Sequence, residues 1–179
     1  MKLPFVWELK DKQMISHIVG SPHAIQVNCN TYVPDLFKYL NEKGCVLVEE
    51  LKAFGGLDAL AEIVAKERSM QLTGLATTEE SNVFYNKYAL PLAYEPAATM
   101  AFRKGDENEM RRLYLDKQST FTSSQSQTLK TCNPHMVERS LIHLRKVSSL
   151  ILVDLAHLLI GPTMLKYYND EGFEIKRIQ

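Results

Sequence analysis

Short apolar runs that alternate with amphipathic segments constrain the fold of this chain more than any other feature. Cys45–Val48 and Leu150–Val153 are apolar runs too short for helices, and Leu72–Leu75 is a third predicted strand. Val33–Lys43 and Gly56–Met70 instead carry apolar residues at helical spacing. Buried strands separated by helices are typical of a mostly parallel sheet covered on both faces. We therefore predict a three-layer α/β fold.

The two ends of the chain predict additions that would make this sheet mixed. Phe5–Leu9 and Met14–Val19 flank a polar turn and indicate a hairpin. Phe173–Ile178 follows Gly172, which ends a predicted helix at Thr163–Asn169, and indicates a closing strand. The whole chain, residues 1–179, is predicted to be a single domain.

The middle of the chain, about residues 78–133, is predicted to be a helical insertion. Thr77 or Thr78 can cap its first helix, and two further helices are predicted at Pro96–Arg103 and Glu107–Lys117. A polar stretch over residues 119–128 is either a loop or an exposed helix start. Pro134 suits the N-terminus of an amphipathic helix at His135–Val147.

Charge and cysteine content exclude several classes of protein. The 21 basic and 21 acidic residues give a net charge of zero, so the chain lacks the basic surface of a general nucleic-acid binder. The 3 cysteines have no CxxC spacing, which argues against a disulfide framework and a zinc ribbon. The expected partner is a peptide or small-molecule substrate, and the oligomeric state stays open.

Hydropathy indicates neither a membrane span nor a leader. No run approaches the roughly 18–20 apolar residues that a span needs. The N-terminus becomes charged too soon for a signal peptide. If Met1 is the native start, we expect a cytoplasmic protein; an exported chain whose leader had been removed would have the same sequence.

Polar residues of metal-binding type follow three predicted strands. Gly20-Ser21-Pro22-His23 comes after one strand, Glu49 and Glu50 after the next, and Asp154 and His157 after a third. Strand ends of a parallel sheet meet at one edge, and imidazole with carboxylate is a ligand set for divalent metals. Each residue also has an ordinary interpretation: a histidine after a strand is commonly structural, and paired glutamates suit a helix start.

Several segments, in order along nearly the whole chain, resemble the TraB/GumN family, whose relatives include the Tiki metalloproteases. PFVWELKDKQMISHIVGSPHA is similar to the family's opening strand and its first G-x-x-H motif, which here ends at His23. VLVEEL resembles the strand that ends in glutamate, with Glu49 in the better register and Glu50 beside it. VERSLIHL supplies the family's helix arginine at Arg139, and LILVDLAHLLIGPTMLKYYNDEGFEIKRI resembles the second G-x-x-H strand and the closing strand.

Two positions depart from the family pattern. Asp154 stands where the second motif has glycine, and Ala76 in GLATT stands where the family's "GLET" turn has glutamate. A carboxylate at the end of a buried strand needs a partner. We expect Asp154 to point into the shared site, with a cation, Arg139 or an imidazole of His23 or His157 as its partner.

The resemblance implies a scaffold shared with erythromycin esterases and ChaN-like haem-binding proteins. It implies a metal-dependent hydrolase of a peptide amide or an ester, with a divalent ion such as Zn, Mn or Co. His23, His157 and Glu49 would bind the ion, with Asp154 as a possible further ligand. Glu49 or Glu50 would be the general base, and Arg139 would stabilise an oxyanion or hold a substrate carboxylate. The alternative is a non-catalytic protein that binds a peptide, haem or small effector on the same scaffold.

Overall fold

One mixed sheet of six strands lies at the centre of the residues that the computed structural model describes, which are 1–22, 28–40, 43–51, 56–84, 86, 92 and 95–179. The strands are β1 (Val6–Asp11), β2 (Met14–Ser21), β3 (Cys45–Val48), β4 (Gln71–Gly74), β5 (Ser149–Asp154) and β6 (Glu174–Arg177). Their order across the sheet is β4-β3-β5-β2-β1-β6. The first four in that order are parallel, whereas β1 is antiparallel to β2 and to β6. The predicted α/β class is confirmed.

Helices cover both faces of this sheet. They are a 3-10 turn (Cys29–Tyr32), α1 (Val33–Leu40), α2 (Gly56–Glu67), α3 (Thr78–Phe84), α4 (Pro96–Lys104), α5 (Glu107–Gln118), α6 (Ser123–Leu144), α7 (Ala156–Leu159) and α8 (Met164–Asp170). The β2–β3 and β3–β4 connections step one way across the sheet, and the β4–β5 connection steps back. Because crossovers between parallel strands are right-handed, opposite steps place helices on opposite faces. Accordingly α1 contacts α2, and α6 packs against α3 and α8.

Strand β5 is the centre of the core. All six of its residues are buried, as expected for a central parallel strand with helices on both sides. It pairs with β2 from His17↔Leu150 to Ser21↔Asp154 and with β3 from Cys45↔Ser149 to Val48↔Leu152. The ends of β2, β3 and β5 are thereby aligned at one edge of the sheet.

The predicted start of the long helix at Pro134 is wrong. Helix α6 begins at Ser123, where Thr122 and Gln125 form a reciprocal capping box. This pair satisfies two backbone donors at the helix start, so the polar stretch forms the first turns of the helix. Pro134 lies inside α6 and removes one backbone hydrogen bond. The burial of Met136 and Val137 in the following turn stabilises the helix beyond it.

Other element boundaries differ from the predictions by a few residues. The hairpin strands are longer than predicted, and α2 ends at Glu67 rather than Met70. Residues 41 and 42, near the predicted end of the first helix, lie outside the described residues. Gly172 adopts a φ of 91°, which suits the turn between α8 and β6. In the part of the chain that the structure describes, no helix is both long and apolar enough to cross a membrane.

Candidate functional site

Three parallel strands end side by side at the carboxyl edge of the sheet. Ser21, the last residue of β2, pairs with Asp154, the last residue of β5. Glu49 directly follows β3, whose Val48 pairs with Leu152 of β5. The predicted meeting of these strand ends is therefore observed for Glu49 and Asp154. His23 follows Ser21 by two positions in the sequence and lies outside the described residues.

The carboxylate of Glu49 lies between the backbone of β5 and the ring of His157. Its Oε2 accepts a hydrogen bond from the Asp154 amide at 2.9 Å and lies 3.4 Å from His157 Nε2. Glu49 is 3% exposed and His157 is completely buried. The main-chain oxygen of Glu49 also accepts bonds from the amides of Leu75 and Ala76, at 3.2 and 2.8 Å. Glu49 is thus held by strands on both sides, with its side chain facing His157.

His157 is held from its other side by a residue that the sequence did not indicate. Its Nδ1 lies 2.6 Å from Oδ1 of Asn133, which is buried in α6. The Asn133 amide nitrogen donates to the Pro162 carbonyl at 2.8 Å. Asn133 has no spacing relation to the strand-end motifs, so no sequence signal could have found it.

Asp154 is buried at the site, and its carboxylate contacts the main chain. Its Oδ1 accepts a hydrogen bond from the Ala156 amide at 2.8 Å. The expected partners of this carboxylate were a cation, Arg139 or an imidazole, and the prediction did not include the backbone amide of Ala156 that is observed. A side chain that accepts from an amide two residues later makes the local turn typical of aspartate. Asp154 therefore shapes the turn that leads into α7 and His157.

Gly20 of the first G-x-x-H segment allows β2 to approach the chain after β5 closely. A Cβ at this position would meet Cδ1 of Leu155 at 2.5 Å, too close for two carbon atoms. The Leu155 amide donates to the Ser21 carbonyl at 3.1 Å and extends the pairing of the two strands. This glycine is thus explained by packing of the protein against itself.

Arg139 reaches the same edge of the sheet from α6. Its Nη1 donates to the Leu75 carbonyl and, at 2.9 Å, to Oε2 of Glu80. The amide of the same Leu75 donates to the Glu49 carbonyl, so Leu75 connects the guanidinium of Arg139 to the main chain of Glu49. The sequence predicted Arg139 at the site but did not reveal Glu80 as its partner.

Glu80 connects Arg139 to a histidine and to its own helix end. Its Oε1 lies 3.2 Å from His135 Nδ1, and its Oε2 accepts from the Thr77 amide at 2.8 Å. Burial raises the pKa of the Glu80 carboxyl, but hydrogen bonds from Thr77, Arg139 and His135 outweigh burial and hold it below its ordinary value. Glu80 is therefore a stable anion beside Arg139. The signal for its capping role was the Thr77-x-x-Glu80 spacing.

The remaining predicted site residues have simpler surroundings. Glu50 is half-buried directly after Glu49. Ala76, also half-buried, contributes a hydrogen bond from its backbone amide to the Glu49 carbonyl and brings no side-chain ligand. Of the predicted site residues, the structure thus brings Glu49, Asp154 and His157 together and places Arg139 nearby.

Two of the three cysteines, Cys45 and Cys132, are buried and are poor nucleophiles. Burial raises the pKa of the Cys132 thiol well above its ordinary range, and the charges of Glu49 and Glu80 raise it further. Burial also raises the pKa of Cys45 to about 11. Since the thiolate is the reactive form, both side chains are unreactive at neutral pH.

Within the described residues, no group of three or more histidine, cysteine, aspartate or glutamate side chains is arranged to hold a metal ion. Glu49 and His157 are two facing donors, and His23 lies outside this part of the chain.

Comparison of the chain with protein-family models, curated proteins and solved structures gives no match.

Proposed function

We propose that the chain is a divalent-metal-dependent hydrolase of TraB/GumN type that acts on a peptide amide or an ester bond. The observation that carries this proposal is the buried pair of Glu49 Oε2 and His157 Nε2, 3.4 Å apart where three parallel strands end. Carboxylate and imidazole are both ligands of divalent metals, and strand ends are where α/β folds place their sites.

The separation of the two donor atoms supports a cation between them. Ligand atoms at about 2.0–2.1 Å from a tetrahedral ion are about 3.3–3.4 Å apart. A direct charge-assisted N–H···O bond is shorter, about 2.7–2.9 Å. Glu49 and His157 would supply two ligands and His23 a third, and Asp154, three residues before His157, would be a further ligand.

The residues around this pair have distinct roles in the proposed reaction. A divalent ion bound there would polarise the scissile carbonyl as a Lewis acid and make a water molecule more acidic. Since Glu49 is occupied by the Asp154 amide and His157, we assign the general base to Glu50, which would take a proton from water and pass it to the leaving group. Arg139 would stabilise the developing oxyanion or hold a substrate carboxylate.

One observation favours a non-catalytic binding protein as the second candidate. Ala76 takes the place of the glutamate in the family-like turn and contributes only its amide to Glu49. A site that lacks this carboxylate can still hold a metal, peptide or haem without turnover.

The test combines metal content with turnover. Protein purified without chelators is analysed for bound metal, titrated with Zn²⁺, Mn²⁺ and Co²⁺, and assayed on a mixed peptide library and on ester substrates. The variant His157→Gln is compared with wild type, and His143→Gln, which changes a half-buried histidine of α6, is the matched control.

We expect one divalent ion per chain in wild type and in His143→Gln, and loss of the ion and of hydrolysis in His157→Gln. Metal binding without hydrolysis would favour the binding protein, with haem tested by a Soret band. Absence of metal binding by wild type at micromolar concentrations would refute the metal-dependent proposal.

A further inference from the structure

The orientation of the Asn133 side-chain amide is fixed by its partner on the far side. The Pro162 carbonyl can only accept a hydrogen bond, so the group 2.8 Å from it must be the amide NH₂ of Asn133. Oδ1 of Asn133 therefore faces the ring of His157. The opposite orientation would bring two carbonyl oxygens together in a buried place, where an unmade hydrogen bond is costly.

This orientation determines which nitrogen of His157 carries its proton. Oδ1 is an acceptor without a hydrogen of its own, so Nδ1, 2.6 Å away, must be the donor. The proton on Nδ1 is present in the neutral ring and in the imidazolium alike; in the neutral ring, the lone pair of Nε2 would be taken up by a cation bound beside Glu49 Oε2.

We propose that Asn133 is a positioning residue, which keeps a proton on Nδ1 of His157 and thereby makes Nε2, the nitrogen that faces Glu49, the one that binds a cation. The part of this inference that concerns metal binding rests on the proposed function. Ligating histidines usually donate their other N–H to an oxygen that fixes the tautomer, and loss of such a partner typically costs about 10–100-fold in metal affinity.

Asn133 is well placed for such a role because it connects three elements. It belongs to the long helix α6, contacts His157 in the short helix α7, and binds the carbonyl of Pro162 beyond α7. Both hydrogen bonds fix the same amide plane, so the ring of His157 cannot rotate without breaking the contact to Asn133. The rigid helix α6 thereby sets the ring orientation.

The experiment measures the tautomer directly in metal-free protein. Imidazole nitrogens of ¹⁵N-labelled protein are observed by NMR through the neutral and alkaline range, where the two neutral tautomers and the doubly protonated ring give different nitrogen shifts, and His157→Gln assigns the signal. The variants are Asn133→Leu, which removes the acceptor at similar size, and Asn133→Asp, which keeps an acceptor oxygen for Nδ1 but loses the donor to the Pro162 carbonyl. Ser140→Ala is the matched control, since Ser140 is buried in the same helix and bonds Tyr168 instead.

We expect wild type, Asn133→Asp and Ser140→Ala to show the Nδ1–H tautomer, and Asn133→Leu to lose this preference. In Zn²⁺ or Co²⁺ titrations we expect affinity to fall about 10–100-fold in Asn133→Leu only. A wild-type ring with a proton on Nε2 and none on Nδ1 would overturn the inference without any variant, which covers the case that Asn133→Leu does not fold.

The two proposals fail in different ways. If wild type binds metal and Asn133→Leu binds it equally well, the positioning role is wrong while the proposed function stands. If wild type binds no metal but shows the Nδ1–H tautomer that Asn133→Leu loses, the tautomer assignment stands and the metal-dependent function is wrong.

Discussion

Oε2 of Glu49 accepts the main-chain N–H of Asp154 at 2.9 Å and so joins the ends of two neighbouring strands. The same oxygen faces His157, which gives this side chain a structural contact and a proposed ligand role at once. The two roles can be separated because one depends on an acceptor oxygen and the other on a negative charge.

Replacement of Glu49 therefore has two different expected outcomes. Glu49→Gln keeps an acceptor for the Asp154 amide, so we expect the free energy of unfolding to change by less than about 1 kcal/mol while metal affinity falls at least about tenfold. Glu49→Leu leaves the buried amide without this acceptor and should lower the free energy of unfolding by about 1–3 kcal/mol. Urea denaturation and calorimetric metal titration measure both. Equal metal affinity in wild type and Glu49→Gln would contradict the ligand role.

Substitutions of Asp154 distinguish its turn contact from its charge. Asp154→Asn keeps an oxygen for the Ala156 amide, whereas Asp154→Gly, which restores the family-like glycine, removes it. We expect Asp154→Gly to lower the free energy of unfolding by about 0.5–2 kcal/mol, and Asp154→Asn to be near wild type. Both should alter metal affinity if the carboxylate acts at the site. Unchanged affinity in both variants would leave Asp154 a structural residue only.

Glu50 is predicted to affect turnover and not metal binding. Glu50→Gln removes the proposed base, which should lower kcat about 10²–10⁴-fold. Metal content should stay at the wild-type level because Glu49 is intact. Glu67→Gln, an exposed glutamate at the end of α2, is the control and should leave kcat unchanged. Loss of metal from Glu50→Gln would exchange the roles assigned to the two neighbouring glutamates.

Glu80 is predicted to make the stability of the protein depend on pH. Burial raises its pKa, but hydrogen bonds from Thr77 and Arg139 lower it by more, so the pKa in the folded protein lies below the ordinary 4.5. The resulting stabilisation is complete above the unfolded-state pKa and is lost as the pH falls through the folded pKa. Glu80→Gln keeps the capping geometry without the charge.

The corresponding measurement is urea denaturation at neutral pH and through the acid range. We expect Glu80→Gln to be less stable than wild type near neutral pH, with the difference shrinking at acid pH. Glu79→Gln, at the exposed neighbour in the same first turn, is the control and should follow wild type. A difference between Glu80→Gln and wild type that stays constant at all pH values would show that the charge is not responsible.

The fold and part of the site could be predicted because they depend on local patterns. Four-residue apolar runs such as Cys45–Val48 are too short for helices and are typical of buried strands, and the carboxyl ends of neighbouring parallel strands lie at a common edge. Glu49 and Asp154 were therefore found by their place after such runs. The start of α6 was predicted wrongly because a proline suits the first turn of a helix, whereas the helix begins earlier, at the Thr122–Gln125 capping box.

The missed contacts are those between distant segments. Asn133 lies just before the amphipathic stretch that was predicted to begin at His135, and its partners His157 and Pro162 are 24 and 29 residues away. Arg139 and Glu80 are 59 residues apart and meet only because α6 packs against α3. Which polar side chains pair across a core depends on helix rotation, and the apolar pattern of a single chain leaves that open.

The central position of β5 has a consequence for how the chain acquires its structure. The two strands on either side of it, β2 and β3, precede it by more than 100 residues, and they are joined in one sheet only through β5. Contacts this far apart in sequence form late because closing long loops costs entropy. A ribosome-bound chain that stops short of Ser149 would thus carry two half-sheets with open inner edges, a state suited to chaperone capture and to misassociation. The six residues of β5 supply the missing strand once they have left the ribosome.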